Sequence, residues 1–552
     1  MRVRTLKRIW RRWSDESGVT VLLALFALII TTLLLGAVYM ALNNDTALTR
    51  ADLDQSRSYS AAQAGIAQYI YQLNSDPNYW ENCNSVGSKA NPIAVPNSTD
   101  GGSTEYYYYK PLVASDQQCD VNNPTATMIE GSGSPAPGTF RISSTGVSNN
   151  ISRTIVAQFK QPSFLSFVYY TDYETLDPAA LFNPNSKPTE PTDCARHFPN
   201  RGNDCGGPID FVNGDQINGP LHSEDTLAIC GAPVFGRTGR NDTIETAAPL
   251  PGMSTEGQSQ QGVPCQQNAT VNNNGKTIAT SVTSLTPPAT NSQLLTTAQT
   301  GYVYTGKTTI ALSGTTMSVT NTNAANKGLT GASVAWPSNG VIYVSTASKG
   351  CGVTYTPFTA NAAYAGDANC GNVYVSGNYT KSLTIAADSD VVITGNITSP
   401  EVSNFLGNAP SGSQLLGLVA NDFVRVYNAV PGRTGSTSGS CGPNNSNPPS
   451  SGTAVSDIYA AILAVNHSFI VDNYDCGGES PALGTLYVYG AIAQLFRGPV
   501  GTGGSGGASS GYTKSYNYDD RLANEEPPYF LDPVSAQWFV SRQTECNSTA
   551  TC

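Results

Sequence analysis

Residues 18–42 read GVTVLLALFALIITTLLLGAVYMAL, and this stretch decides how the rest of the chain is placed. The 24 positions from Val19 to Leu42 carry no charge. As a helix rising about 1.5 Å per residue, such a run is about 36 Å long, enough to cross a hydrocarbon core of about 30 Å. Before it lies MRVRTLKRIWRRWSDESG, with Arg2, Arg4, Lys7, Arg8, Arg11 and Arg12 against Asp15 and Glu16. Basic residues beside a span stay in the cytoplasm, so everything after Leu42 is expected outside, in a single-pass protein of the cell membrane or surface. A secretory signal has small residues after its apolar core, whereas here the small residue, Gly18, comes first. Cleavage between Gly18 and Val19 would leave the helix on the mature chain.

Beyond the apolar run the pattern becomes periodic. Tyr59, Ala62, Ile66, Tyr69 and Leu73 recur at helical spacing with Arg57, Gln63, Gln68 and Gln72 between them, which predicts a second, packed face on the same helix. Asn74, Ser75, Asp76 and Pro77 are stop residues, so one helix is expected over 19–77 with 19–42 in the membrane.

The glycine-then-apolar junction ESGVTVLLALFALIITTLLLGA, followed by QSRSYSAAQAGIAQYIY, resembles the N-terminal region of type IV pilins, above all the PilX-type minor pilins. Arg57 and the segment Ala61, Ala62, Gln63, Ala64, Gly65 match an arginine and an Ala-Ala-x-Ala-Gly segment in that group. The resemblance implies that 1–18 is a leader cut after Gly18 by a prepilin peptidase, and that the helix packs with those of other pilin-like subunits. One departure stands out: the fifth mature position, a glutamate in most pilins, is Leu23. Large pseudopilins at filament tips also lack that glutamate, so the resemblance implies a tip or initiating subunit of a pilus-like filament. LGLVAND, AAILAVNHSFIVD, GAIAQLFRGPVG and PPYFLDPV resemble segments of large pilin-like surface proteins of actinobacteria.

With 552 residues, 53 Gly, 34 Pro and 12 % charged residues, the chain is not composed like a cytosolic enzyme. Its formal charge of -11 becomes more negative without the basic leader, which excludes nucleic acid as an expected partner. All twelve cysteines follow the apolar run: Cys83, Cys119, Cys194, Cys205, Cys230, Cys265, Cys351, Cys370, Cys441, Cys476, Cys546 and Cys552. An even count in an exported region predicts disulfides, and sequential pairing would close local loops such as Cys351 with Cys370. There is no CxxC, and the histidines are His197, His222 and His467, so no metal site of Cys and His is expected.

Residues 78–165 mix turns with short β-type runs, including EYYYYK at 105–110, and are expected to form a small β-rich module against the helix. Over 166–510 very short β-branched runs alternate with Gly, Asn and Asp, as in NVYVSGNYTKSLTIAADSDVVITGNITS at 372–399. Pairs of strands joined across one or two Gly or Asn residues turn a corner rather than close a hairpin, which predicts a right-handed parallel β-helix, with a β-sandwich as the alternative. Residues 232–336 and 430–453 are expected to project as long loops, and 511–552 to cap the open end.

Stacked β domains can carry clustered carboxylates that act on polysaccharides. The candidates are Asp388, Asp390, Asp422 and Arg425, and Asp519, Asp520 and Arg521. Aspartate is also a turn residue, and no GxSxG, HExxH, P-loop or EF-hand pattern is present. The expectation is therefore no catalytic residue and no cofactor, with Ca²⁺ considered only for DCGGPIDFVNGD at 204–215. The expected function is a minor pilin-like subunit displaying a β-rich domain toward a surface glycan or a host or abiotic surface; a membrane-anchored glycan-active enzyme is the alternative.

Overall fold

The computed structural model describes residues 17–76, 79, 87–96, 105–112, 139–180, 209–255, 259–260, 263–273, 275, 277–357, 366–399, 408–410, 412–430, 454–476, 483–504, 506–523, 525–534 and 537–546. An N-terminal apolar helix is followed by mainly β structure, and the chain divides into two compact units.

The first unit takes 1–128, 140–159 and 540–552. Its helix α1 (Ser17–Ser75) runs unbroken for 59 residues, about 90 Å at helical rise. No Pro interrupts it, and its glycines before the packed half are Gly18 at its start and Gly36. Val19–Met40 has a mean hydropathy of 2.8 and is 0 % buried, long and apolar enough to cross a membrane. The later half packs on a five-stranded sheet of β1 (Ile93–Ala94), β2 (Tyr106–Leu112), β3 (Thr139–Ser148), β4 (Ile151–Lys160) and the C-terminal strand Phe539–Cys546. The expected 78–165 module thus recruits a strand from the far end of the chain. The tyrosine run is a strand with Tyr107 buried; Tyr69 of the helix meets Tyr109 at 5.4 Å and Phe159 at 5.3 Å between ring centroids.

The second unit takes 129–139 and 160–539. Its main sheet is mixed, with long parallel ladders and local antiparallel hairpins. In one ladder Val303–Thr305, Val341–Ser345, Leu383–Ala387, Leu416–Ala420, Asp457–Ala464 and Thr485–Arg497 lie side by side in chain order. The next neighbour is Tyr169–Leu176, followed by Leu221–Ser223 and Ile244–Thr246. The register aligns Ile342, Ile385, Leu418, Ile462, Ile492, Tyr169, Leu221 and Ile244 in a single column, every member buried. Each fully buried aliphatic residue stabilises by roughly 1.5–3 kcal/mol, so the column is a spine of the core. A second ladder joins Thr308–Gly314, Val373–Tyr379, Val391–Thr398, Val424–Val426 and Phe469–Val471. A third joins Thr485–Arg497, Thr513–Tyr518, Gln216–Asn218, Val234–Phe235 and Thr270–Val271. The predominance of parallel pairs is not the pattern of an antiparallel sandwich.

The chain therefore enters its own stack in the middle. It lays strands one way to about residue 279, crosses back, and restarts at 303 from the other end. The return segment lies along the stack: Tyr170 Oη donates to Leu285 O at 2.7 Å, and Asn291 Nδ2, fully buried, donates to Ala387 O at 2.7 Å. Two expectations change as a result. Residues 232–336 are not a projecting loop, because they supply strands to the ladders and the return segment. Residues 511–552 are not an end cap, because Thr513–Tyr518 pairs inside the stack, Pro528 O accepts from Thr384 Oγ1, and Phe539–Cys546 belongs to the first unit's sheet. The edge at 308–314 is instead met by an antiparallel hairpin, Thr316–Asn321 with Gly331–Ala335.

Disulfides join Cys230 to Cys265 and Cys351 to Cys370, and Cys476 and Cys546 are also disulfide-bonded. Cys83, Cys119, Cys194, Cys205, Cys441 and Cys552 lie outside the described residues, as do 1–16 of the expected leader 1–18, His197, and 431–453 of the expected loop 430–453.

Candidate functional site

Two features carry chemistry or contact. The first is the helix. Val19 and Leu23 point outward from the apolar half, 46 % and 65 % exposed, and the helix begins at Ser17, ahead of Gly18. In the packed half Ala62, Ile66, Tyr69 and Leu73 are buried as their spacing predicts. Tyr59 is not: it is 38 % exposed at the rim, where the Arg153 guanidinium lies 5.8 Å from its ring centroid. Ser58, Ala61 and Gly65 take its place on the packed face. A Cβ on Gly146 of β3 would stand 2.1 Å from Ser58 O and 2.3 Å from Ala62 N, so backbone meets backbone there. The small residues of SAAQAG permit that approach, which a large side chain at either glycine would prevent.

The second feature is a cleft of about 600 Å³ in the second unit, lined by turns between its strands and by the loop at Cys351–Thr356. It gathers Asp390, Asp422, Arg425 and His467, residues up to 77 positions apart in the chain, because Val391–Thr398, Val424–Val426 and Phe469–Val471 are neighbours in one ladder. Turn residues preceding each strand are thereby stacked on one side. Asp177, fully buried, accepts from Ser468 Oγ at 3.0 Å and from Ala179 N at 2.8 Å, and fixes His467 through Nδ1 at 3.1 Å. The imidazole stacks on Phe423, centroids 4.5 Å apart and planes 7° from parallel, and Nε2 lies 3.9 Å from Asp422 Oδ1. Asp390 is held by Arg425 Nε at 3.0 Å and by Phe423 N at 3.1 Å. Arg425 also lies over the Tyr355 ring at 4.4 Å, and Tyr355 Oη donates to Asp472 at 2.7 Å. On the opposite side Asp367 accepts from Lys307 at 2.8 Å, Tyr374 Oη at 2.6 Å and Asn372 at 2.9 Å.

Burial, reinforced by the nearby Asp390 charge, pushes the Asp422 carboxyl up to about 6. Burial alone would lower His467, but its bond to Asp177 and the surrounding carboxylates outweigh it and raise the imidazole above its ordinary value. An oriented imidazole beside a carboxyl that titrates near neutrality can accept, donate or share a proton with a ligand in the cleft.

The other sequence candidates serve the fold. Asp388 accepts from Thr346 N at 3.1 Å and Tyr343 Oη at 3.3 Å. Asp519 pairs with Arg521, which also donates to Gln414 O, and Asp520 meets Arg237 at 2.8 Å. His222 is buried between Glu224 and Glu245, 2.8 Å from each. Of 204–215, Asp215 is paired with Lys514 at 2.7 Å, and Asp210 lies beside Cys230 and Cys265, whose sulfurs are bonded to each other and so are not thiolate ligands. The sequence did not single out Asp177, Tyr355, Asp367 or Asp472. Each sits in a turn or loop of ordinary composition, and only the stacking of strands brings it to the cleft.

No protein-family model matches the chain, and no curated protein matches it. Among solved structures it is similar to the competence-associated pilin ComZ from Thermus thermophilus, at 11 % identity over 89 % of this chain and 97 % of that one, with a TM-score of 0.26.

Proposed function

We propose that the protein is a minor pilin-like subunit of a type IV pilus-like filament, held at or near the tip, where it displays its β unit for adhesion or filament initiation. The observation that carries the reading is the two-part helix α1: an apolar half exposed from Val19 to Met40, and a second half whose small-residue face is packed on its own sheet. A plain membrane anchor needs the first half only. The exposed half suits a membrane before assembly and the helices of neighbouring subunits after it. Leu23 in place of a glutamate favours a position with no subunit above it, and a β unit of the present size is accommodated more readily at an end than along a shaft. The stacked ladders are read as a parallel β-helix that serves as the displayed body.

Antibody against the β unit, visualised with gold on filaments from intact cells, tests the position. Label at filament ends supports the reading; label spaced along the shaft, or on the cell body alone, contradicts it.

A further inference from the structure

The cleft contains two polar groups that the described residues leave unused. Among the described residues the Asp422 carboxylate accepts no hydrogen bond, and His467 Nε2 makes none, lying 3.9 Å from Asp422 Oδ1. The two are 42 % and 27 % exposed. Every other carboxylate at the cleft is already engaged: Asp390 by Arg425 and a backbone N–H, Asp367 by Lys307, Asn372 and Tyr374. One free carboxylate falls well short of the six or more oxygens that Ca²⁺ gathers. An anionic ligand would meet the Asp422 charge with Arg425 and Lys307 already neutralised. What remains is a carboxylate beside a ring nitrogen, flanked by Tyr355 and by an imidazole laid flat on Phe423, in a volume within the roughly 300–1,000 Å³ of small-ligand clefts.

We propose that this cleft is a binding site for a neutral oligosaccharide, whose hydroxyls satisfy Asp422 and His467 and whose ring faces lie against Tyr355 and the His467–Phe423 stack. Hydroxyl groups both donate and accept, so they match a carboxylate and an imidazole set side by side without introducing charge. Asp177 is a positioning residue: it fixes the His467 ring and leaves Nε2 turned to the cleft. The assignment rests on the adhesion part of the function proposed above, and stands apart from whether α1 enters a filament.

Full-length protein in a detergent without a sugar headgroup would be titrated calorimetrically with cellopentaose, xylopentaose, maltopentaose, laminaripentaose and chitopentaose, with reducing ends measured in parallel. Saturable binding of at least one, weakened tenfold or more in Asp422→Asn and abolished in Thr354→Trp, which fills the cleft from its exposed wall, supports the assignment. Asp520→Asn, outside the cleft, should bind as the unaltered chain does. Binding to none of the five, or equal binding by all variants while each remains folded, overturns it. Release of reducing ends overturns it in favour of a hydrolytic cleft. Filament localisation enters none of these readouts, so failure of binding and failure of the filament reading are distinguishable.

Discussion

At Gly146 a single hydrogen separates the third strand of the small sheet from the backbone of the long helix. Gly146→Ala forces its new methyl against Ser58 O and Ala62 N, neither of which can rotate away. Such overpacking costs about 1–3 kcal/mol, to be read as a lower denaturation midpoint of the first unit. Gly506→Ala, where a Cβ meets nothing within 4 Å, is the control and should leave the midpoint unchanged. Asp422 makes a prediction of opposite sign. Burial and Asp390 raise its carboxyl from 3.8 to about 6 in the folded chain, so the folded state binds the proton more tightly than the unfolded one. The ionised group then opposes folding above about pH 6, and this penalty vanishes below about pH 4. Because the carboxylate is 42 % exposed and solvent screens part of this penalty, Asp422→Asn should raise the melting temperature slightly at pH 8 and leave it unchanged at pH 4; an equal change at both would contradict the raised carboxyl.

Among the elements, the decisive contact is the closure where Tyr169–Leu176, early in the unit, docks on Thr485–Arg497, near its end. Arg497, fully buried, donates to Glu174 at 3.0 Å and Ile209 O at 2.7 Å and lies 3.5 Å from the Phe211 centroid; Lys514 meets Asp215 at 2.7 Å beside it. Removing one partner leaves a buried charge without compensation, at about 3–5 kcal/mol. Arg497→Met is expected to destabilise the second unit by that amount, with amide exchange rising first in residues 169–176 and 513–518; Arg497→Met with Glu174→Leu should recover much of the loss. This closure also explains what could be read from the sequence. The helix was legible because its signals are local: an uncharged run, then apolar residues at helical spacing. Tyr59 was misplaced because the true face turns on Ser58, Ala61 and Gly65, residues that count as small rather than apolar. Short strands and Gly/Asn corners were legible too, but their order was not. A chain that enters its stack in the middle and restarts from the far end leaves no fixed period, and it hides the fact that strands within 232–336 and at Thr513–Tyr518 complete it. The cleft was legible residue by residue in Asp390, Asp422 and Arg425, while His467 read as a structural histidine; the convergence of all four follows from strand register alone.

On the scale of the whole molecule, an apolar helix half that the described residues leave uncovered shares one chain with a β unit that carries its own cleft. Such a chain is coherent as a subunit whose helix is covered by a membrane first and by other helices later. The N-terminal sequence and intact mass of the protein, taken from sheared surface filaments and separately from membranes, test this most directly. A mature chain starting at Val19 in the filament fraction is the expected result; a chain that keeps Met1 and is confined to membranes would contradict a filament role.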